Sequence, residues 1–488
     1  MSNSKITGVI VAFMIACLVG LAGCADQTFN SSVSDLSNAS GLQSESGAVA
    51  NLSANAEHTG RFIVMARNNN QLQSIINNLN AEGGELLYEL AEVGAVIVQS
   101  SETGFKNRAA RINGVRSVIP DLVFQFSKPE PHGEVSIQSL GDPPNSGSAD
   151  FFFDLQWGHN AVRAHHAWAN DVRGQGVRVA VLDNGFDLAH PDLAPNINLG
   201  LSANFVEGES LQYGLPDPFS HGSHVAGIIA AAQNDFGIIG VAPDAELVLV
   251  KVISDGGLSS WSNVALGIIH AALAEADVIN MSLGGAVPQR GFSDDDITVS
   301  ANEVAELRVF MTRVINFANQ SGSTVITSAG NAALNRDRTK DLLNLPADLP
   351  NVISISATAP IGWATDPGNI NLDNLASYSN YGRSAIDFAA PGGDFLYPGN
   401  EDCVVAGLQR PCWVFDLVFS TGNGGWYWSQ GTSMASPHAA GIAALIISEN
   451  GGSMHPSQVE AELRKRADRI DSGGRSASFG LGRVSSGY

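Results

Sequence analysis

The sequence predicts an α/β protein in which helices cover both faces of a mainly parallel sheet. From about residue 151 onward, short apolar runs alternate with longer apolar or amphipathic segments, which is the pattern of strands joined by helices. Residues 59–127 show the order β-α-β-β-α-β, which predicts a small ferredoxin-like α+β domain ahead of the larger one.

Length and composition limit the classes of function. A chain of 488 residues, 44% hydrophobic and 15% charged, is long enough for two or three globular units and is not disordered by composition. The formal net charge of −22 argues against nucleic acid as a partner, because phosphate binding needs clustered Lys and Arg. We interpret the acidic excess as a source of solubility.

Residues 1–23 have the pattern of an export signal. Lys5 precedes an apolar run over residues 6–21, and small residues lead into Cys24. The segment Leu-Ala-Gly-Cys at 21–24 resembles the lipobox of bacterial lipoproteins, in which the Cys is lipidated and becomes the mature N-terminus. An ordinary cleaved signal with an incidental Cys is the alternative.

The composition of residues 24–58, rich in Ser, Asn and Ala, predicts a flexible tether between membrane and protein. We expect an exported bacterial lipoprotein of the cell envelope, at the outer membrane or surface, or one released extracellularly after processing. Besides Cys24 and a Cys inside the signal, only Cys403 and Cys412 remain, and in an oxidising compartment they are predicted to form a disulfide. A metal site is the weaker alternative, because no His or further Cys lies near them at ligand spacing.

Hydrophobic periodicity places the elements of the first domain. In chain order they are a strand at 61–67, a helix at 71–79, two strands within 86–98, a helix at 105–115 and a last short strand at 122–126. A linker follows at 128–150 and carries four Pro among Gly and Ser. We expect it to be exposed, unstructured and easily cut.

The elements of residues 151–488 alternate as a parallel sheet requires. The predicted strands are 177–182, 246–253, 278–283, 324–327 and 352–357, and the predicted helices are 221–232, 263–274, 303–319 and 433–448. Ligands of such sheets bind beyond the carboxyl ends of the strands.

Four polar residues fall at these element ends. Asp183 follows the strand 177–182, His221 opens a helix in His-Gly-Ser-His-Val-Ala-Gly, and Ser433 lies in Gly-Thr-Ser-Met-Ala-Ser-Pro before an apolar helix. Singly, each has a structural explanation as a turn former, a packed His or a helix cap. Together they supply the acid, base and nucleophile that amide cleavage needs, and Asn331, in Ser-Ala-Gly-Asn, adds a side-chain amide for an oxyanion.

These segments closely resemble the subtilases over roughly residues 154–467. The resemblance implies a subtilisin-like fold and a serine endopeptidase that hydrolyses proteins and peptides through an acyl-enzyme intermediate, with the family's chain order Asp–His–Ser. It assigns Asp183 as the charge-stabilising acid, His221 as general base and then acid, and Ser433 as nucleophile. Asn331 would donate to the oxyanion together with the backbone N–H of Ser433.

The resemblance also implies a substrate site and two histidines that take no part in catalysis. A substrate would pair with the protein as an added strand, next to a wall of the primary specificity pocket. The residues implied to bind substrate are Ser282, Leu283, Gly284, Ser328, Ala329 and Gly330. His224 and His438 are expected only to pack inside the fold. The chain departs from the family at Asn184, where Ser or Thr is usual, and at Ser223, where Thr is usual. It also has long insertions, which are expected to reshape the rim of the cleft.

The small domain at 59–127 resembles the inhibitory propeptide of the family, which assists folding and then blocks the cleft with its tail. Autocleavage is then expected between Gln125 and Asp150, and a permanent accessory domain is the alternative. The loop after the His helix resembles a family loop that binds structural calcium through oxygens, with Asp192 and Asn234 as matching ligands and Gln156 as a further candidate. No cofactor is expected for catalysis.

Two other functions remain open for a chain of this pattern. One is a catalytically silent surface protein that uses the subtilase fold for binding, and the other is an esterase. The presence of all the catalytic positions argues against the first. The setting Gly-Thr-Ser-Met-Ala and the order Asp–His–Ser argue against the second, which uses Gly-x-Ser-x-Gly.

Overall fold

The structure is a computed structural model that describes residues 57–126, 132–136, 150–217, 219–294 and 297–488. All of these belong to one unit that spans 45–488. The predicted signal peptide, Cys24 and the tether up to residue 56 lie outside the described residues. Within the described ranges, no helix combines the length and the apolar character needed to cross a bilayer.

The N-terminal part forms a four-stranded antiparallel sheet with helices on one face. Its elements are β1 (Glu57–Ala66), α1 (Leu72–Ala81), β2 (Glu85–Leu90), β3 (Ala95–Gln99), α2 (Phe105–Ala109) and β4 (Val115–Gln125). The strand order β2-β3-β1-β4 confirms the predicted ferredoxin-like pattern. Helix α1 turns its apolar side, Leu72, Ile75, Ile76 and Leu79, into the core, as the spacing predicts.

Two boundaries differ most from the sequence prediction. Helix α2 ends at Ala109 instead of continuing to 115, and the chain turns at Gly114, whose φ of +90° suits glycine. Strand β4 begins at Val115, well before the predicted 122, and runs through Pro120. The ladder to β1 shifts register between His58 and Phe62, the partner of Pro120, so the strand tolerates a residue that lacks an N–H at this irregularity.

The larger part is built on an eight-stranded, mainly parallel sheet. Its strands are β6 (Arg178–Asp183), β7 (Ala203–Asn204), β8 (Glu246–Lys251), β10 (Val278–Met281), β14 (Thr324–Ser328), β16 (Val352–Ala359), β17 (Asn374–Leu375) and β18 (Phe388–Pro391). The order is β17-β16-β14-β10-β6-β8-β7, with β18 also beside β16, and β17 is the antiparallel member.

Helices cover both faces of this sheet, which confirms the predicted fold class. They are α3 (Trp157–Ala161), α4 (Ala164–Trp168), α5 (His221–Ala230), α6 (Trp261–Leu273), α7 (Ala301–Gln320), α8 (Thr432–Glu449) and α9 (Pro456–Arg466). Along β6, Val179 and Val181 pack with α5 and α8, whereas Ala180 and Leu182 pack with α6 and α7. The sheet of the N-terminal part rests on α6 and α7 as well, through Ile63, Met65 and Ile97.

Shorter strands complete the fold. They are β5 (His132–Ser136), β9 (Leu258–Ser260), β11 (Gly285–Pro288), β12 (Gly291–Asp294), β13 (Ile297–Ser300), β15 (Leu342–Leu345), β19 (Asp402–Val405), β20 (Leu408–Pro411), β21 (Val418–Thr421) and β22 (Gly425–Ser429). Strand β9 joins the N-terminal sheet beside β4, and β5 joins β21 and β22. The prediction of an exposed, unstructured linker is therefore wrong for β5, because Val135 is buried against the larger part.

Candidate active site

Asp183 and His221 form a buried pair at one edge of the parallel sheet. Asp183 is the last residue of β6, and His221 is the first residue of α5, whose N-cap Ser220 accepts the N–H of Ser223. Asp183 Oδ1 lies 2.7 Å from His221 Nδ1. Because a carboxylate can only accept, Nδ1 carries the proton and Nε2 is left as the basic nitrogen.

The turn after Asp183 explains how the chain uses Asn184, where Ser or Thr is usual in the family that the sequence resembles. Asn184 Oδ1 accepts the N–H of Gly222 at 2.8 Å, which ties the turn to the first turn of α5. Behind it, Asp255 Oδ1 accepts the N–H of Gly185 and receives the ammonium of the fully buried Lys251 at 2.5 Å. The departure at Asn184 thus keeps a side-chain acceptor where the turn needs one.

Ser433 lies in the first turn of α8, a helix that packs directly on α5. Its side chain is buried, and Oγ donates to the carbonyl of Ser282 at 3.2 Å. Among the residues that the structure describes, His221 Nε2 has no hydrogen-bond partner. The structure therefore brings acid and base together, while the hydroxyl that was predicted to meet the base points to Ser282.

Asn331 is held in a defined orientation by a residue that the sequence motifs did not single out. Its Oδ1 accepts both the N–H of Thr432, at 2.9 Å, and the Thr432 hydroxyl, at 2.6 Å. Because Oδ1 is occupied, the Nδ2 donor is the end of the carboxamide left for a ligand. A Thr directly before the predicted nucleophile was the only signal in the sequence for this role.

The segment 328–330 forms a rigid wall beside the site. The carbonyl of Ala329 accepts the side-chain amides of Asn344, at 2.9 Å, and Asn380, at 2.8 Å. Gly330 has a φ of +97°, and a Cβ there would stand 2.6 Å from Asn380 Nδ2, so the position needs glycine. Sequence reasoning missed both Asn residues, because neither lies near a recognisable motif.

The neighbouring segment at Ser282, Leu283 and Gly284 links this wall to Ser433. Ser282 Oγ donates to the carbonyl of Ser433 at 2.8 Å, and Ser328 Oγ reaches the carbonyl of Leu283 at 3.5 Å. Gly284 is exposed and precedes β11. The six residues predicted to bind substrate therefore form one continuous border next to the N-terminus of α8.

The two other motif histidines are buried in the fold. His224 Nε2 donates to the carbonyl of Tyr427 at 3.1 Å, and His438 Nδ1 donates to the carbonyl of Met434 at 2.8 Å. Burial lowers the pKa of His224 to about 3 and that of His438 to about 4. Both rings are therefore neutral at ordinary pH and act as packed hydrogen-bond donors, in agreement with the prediction.

Asp192 and Asn234 are neighbours, but N–H donors occupy their oxygens. Asp192 Oδ2 accepts the N–H of Ile238 at 2.9 Å and Trp426 Nε1 at 2.8 Å, and Oδ1 accepts Asn234 Nδ2 at 3.3 Å. Asn234 Oδ1 accepts the N–H of Phe236 within its own turn.

The side-chain oxygens of Asp192 already accept N–H donors, whereas a calcium ion needs several oxygens that face one point. Gln156 Oε1, the further candidate, is also occupied, by the N–H of Ile239 at 3.1 Å. Throughout the described ranges, no group of three or more His, Cys, Asp or Glu side chains is arranged to hold a metal. The calcium ion stays an expectation from the resemblance, and the hydrogen bonds give a different account of how this loop is held.

The predicted disulfide is confirmed. Cys403 and Cys412 are joined across the hairpin of β19 and β20, with Cα atoms 4.8 Å apart. Cys412 is fully buried, so the bridge ties the base of this insertion to the core of the larger part.

An acid–base pair, a hydroxyl at a helix N-terminus and an oriented carboxamide are consistent with a serine peptidase. A model of the subtilase family matches residues 174–482. Thermitase from Thermoactinomyces vulgaris is 32% identical over 335 residues, which cover 68% of this chain and 95% of thermitase. A thermophilic serine proteinase from Bacillus sp. strain AK1 is 30% identical over 415 residues, which cover 84% of each chain.

The structure agrees with these matches. The crystal structure of the epidermin leader peptide processing serine protease from Staphylococcus aureus aligns with a TM-score of 0.66 at 19% identity, over 88% of this chain and 96% of that one, which shows a shared fold. The chain belongs to the subtilase family, and it is a subtilisin-like serine endopeptidase.

Proposed function

We propose that this serine endopeptidase works through Asp183, His221 and Ser433 and is made as a self-processing, exported precursor. The observation that carries the assignment is the 2.7 Å hydrogen bond between Asp183 and His221, on a helix that packs against the helix of Ser433. The oriented carboxamide of Asn331 is the second support.

In the proposed reaction, rotation about the Cα–Cβ bond of Ser433 moves the hydroxyl from the Ser282 carbonyl to His221 Nε2. Nε2 takes the proton as Oγ bonds to the substrate carbonyl carbon, and Asp183 stabilises the resulting imidazolium. Asn331 Nδ2 and the N–H of Ser433 donate to the oxyanion. His221 then protonates the leaving amine, and water attacks the acyl-enzyme with the same ring as base.

The N-terminal domain, 59–127, is proposed to inhibit the enzyme as a propeptide that occupies the cleft with its tail. Strand β4 pairs antiparallel with β9, which leads into α6, and the N–H of Phe126 donates to the carbonyl of Gly257 at 2.8 Å. The rings of Phe124 and Phe126 each lie 6.0 Å from the ring of Trp261. An added strand with two aromatic anchors is how an extended peptide would bind this edge.

Polar contacts hold the same domain on the helices beneath it. Asp121, almost fully buried, accepts the N–H and the hydroxyl of Ser262 in the first turn of α6. Arg116 forms a bidentate ion pair with Glu306 of α7, at 2.8 and 3.2 Å. A carboxylate at a helix N-terminus is favourable. Together with the pairing of β4 and β9, these contacts support the proposal.

Ser433→Ala tests the nucleophile and the self-processing together. We expect turnover to fall by roughly a million-fold, the size known for subtilisins, and the precursor to remain uncut. Ser448→Ala, near the other end of α8, is the matched control and should be cut and active. Normal cutting of the Ser433→Ala precursor would assign maturation to another protease, and normal turnover would remove Ser433 from the reaction.

The export part of the proposal rests on the residue pattern before Cys24. We propose lipidation at Cys24, and an envelope location that persists only while the catalytic part stays bound to the lipidated N-terminus. Mass spectrometry of the envelope-bound N-terminus should show a diacylated or triacylated Cys. In a Cys24→Ser variant the protein should leave the membrane fraction, and an unmodified N-terminus elsewhere would contradict this part.

A further inference from the structure

Strand β5 pairs with the strand that leads into the nucleophile turn. Val135 lies opposite Trp426, Glu134 opposite Tyr427, and His132 opposite Trp428. Strand β22 ends at Ser429, and the turn at Gly431 then starts the helix of Ser433. The segment that follows the N-terminal domain is therefore a third strand of the β21-β22 sheet.

Specific residues hold β5 in its place beside β22, which we call the seat of β5. Val135 is 2% exposed and belongs to the same core cluster as Val414, Phe415 and Trp428. Gly133 has a φ of +61° at the point where the ladder shifts register, and a Cβ there would stand 3.2 Å from the Trp428 ring. A glycine bulge and a buried Val indicate a strand that the fold requires.

The disulfide-bonded insertion supplies the outer wall of this seat. The ring of His132 stands edge-on to Trp413 at 5.7 Å, and Arg410 Nη2 donates to the carbonyl of Glu134 at 3.3 Å. Trp413 follows Cys412 directly, so the bridge to Cys403 holds this wall in position. The insertion that was predicted to reshape the cleft rim thus also covers β5.

We infer that β5 remains on β22 after maturation as the first strand of the mature protease, and that the maturation cut lies on the N-terminal side of His132. This inference rests on the proposed self-processing. Strand β4 also packs on the helices of the catalytic part, through Leu122 and Phe124, but it is a strand of the N-terminal sheet that would leave. Strand β5 instead belongs to the β21-β22 sheet of the part that stays, and its Val135 lies in the core of that part. After the cut, β5 is still joined covalently to the catalytic part, so its pairing is intramolecular and is favoured by a high effective concentration.

The position of the new N-terminus tests the inference directly. We expect intact-mass and N-terminal sequencing of the active enzyme to place its first residue at or before His132, and hydrogen exchange to show the 132–136 peptide as protected as β22. A first residue beyond His132, or rapid exchange of that peptide, would overturn it. If the Ser433→Ala precursor is cut as well, the proposal of self-processing is refuted. The position of the new N-terminus still shows whether β5 stays in the mature enzyme.

Val135→Asp tests the packing, with Val404→Asp as the matched control. Val404 lies on β19 and is 66% exposed, so the same substitution there should move the melting temperature of the mature enzyme by only about 1 °C. Val135→Asp should lower it by roughly 5–10 °C and should speed exchange in β22. Equal melting of wild type and Val135→Asp would overturn the inference. If Val135→Asp yields no enzyme, the first residue of the mature wild-type enzyme and the hydrogen exchange of its 132–136 peptide decide whether the inference holds.

Discussion

Replacing Asp192 by Asn asks whether hydrogen bonds or a cation hold the loop after α5. Asp192 has no exposed surface, and burial raises its pKa from 3.8 to about 7 despite the N–H groups of Ile238 and Trp426. The nearby charge of Asp150 acts in the same direction. The folded protein therefore binds a proton here between about pH 4 and 7 that the unfolded chain has lost.

The sign and size follow from that raised pKa. Because the folded state holds the extra proton, the free energy of unfolding falls as the pH rises through this window. A difference of about three pKa units corresponds to about 4 kcal/mol, of which about 3 kcal/mol falls between pH 5 and pH 8. The carboxamide of the Asp192→Asn variant keeps an oxygen for Ile238 and Trp426 and loses only the weak bond from Asn234, at about 1 kcal/mol.

The assay is urea unfolding of the uncut Ser433→Ala precursor, with and without Asp192→Asn, at pH 5 and pH 8. We expect the free energy of unfolding of the Asn variant, relative to that of its parent, to rise by about 3 kcal/mol from pH 5 to pH 8. The other titrating groups are the same in both proteins and cancel in the comparison. An equal difference in unfolding free energy at pH 5 and pH 8 would refute the reasoning. So would a parent that loses stability at pH 8 on chelation of calcium while the Asn variant does not, since a bound cation requires the ionised carboxylate.

Three further outcomes follow from the site and the insertion. Asn331→Ala should lower kcat by about 100- to 1000-fold with little change in KM, the size known for the corresponding donor in subtilisin, and a loss confined to KM would exclude the oxyanion role. Thr432→Val keeps the backbone N–H to Asn331 and removes only the hydroxyl, so kcat should fall by about tenfold, and an unchanged kcat would show that the backbone bond suffices. Joint replacement of Cys403 and Cys412 by Ser should lower the free energy of unfolding by about 2–3 kcal/mol. The comparison is with the wild type before and after reduction, and equal stability of the oxidised wild type and the variant would contradict the prediction.

The strands and helices that carry the site could be predicted because their signals are local. The strand before Asp183 is buried on both faces and therefore reads as an unbroken apolar run. The helix at His221 starts after a Ser that caps it, and the helix at Ser433 is mostly apolar because nearly all of it is buried. Such patterns lie within a few residues of the group they position.

Boundaries that depend on distant partners could not be predicted in the same way. Strand β4 continues through Pro120 because the register irregularity against β1 accommodates a missing N–H. Strand β5 contains Gly and Glu in a Pro-rich stretch, so its composition is typical of a linker. It becomes a strand because Trp428 and Trp413 cover it.

Local patterns along the chain were enough to establish the fold class, the family resemblance, the cysteine pair and the positions at which an acid, a base and a hydroxyl meet the sheet edge. What each polar group contacts depended on tertiary packing. Ser433 bonds a carbonyl 151 residues away, and Asp192 accepts an indole N–H 234 residues away. Partners so far apart along the chain leave no periodicity or spacing in the sequence, because packing of the finished sheet brings them together.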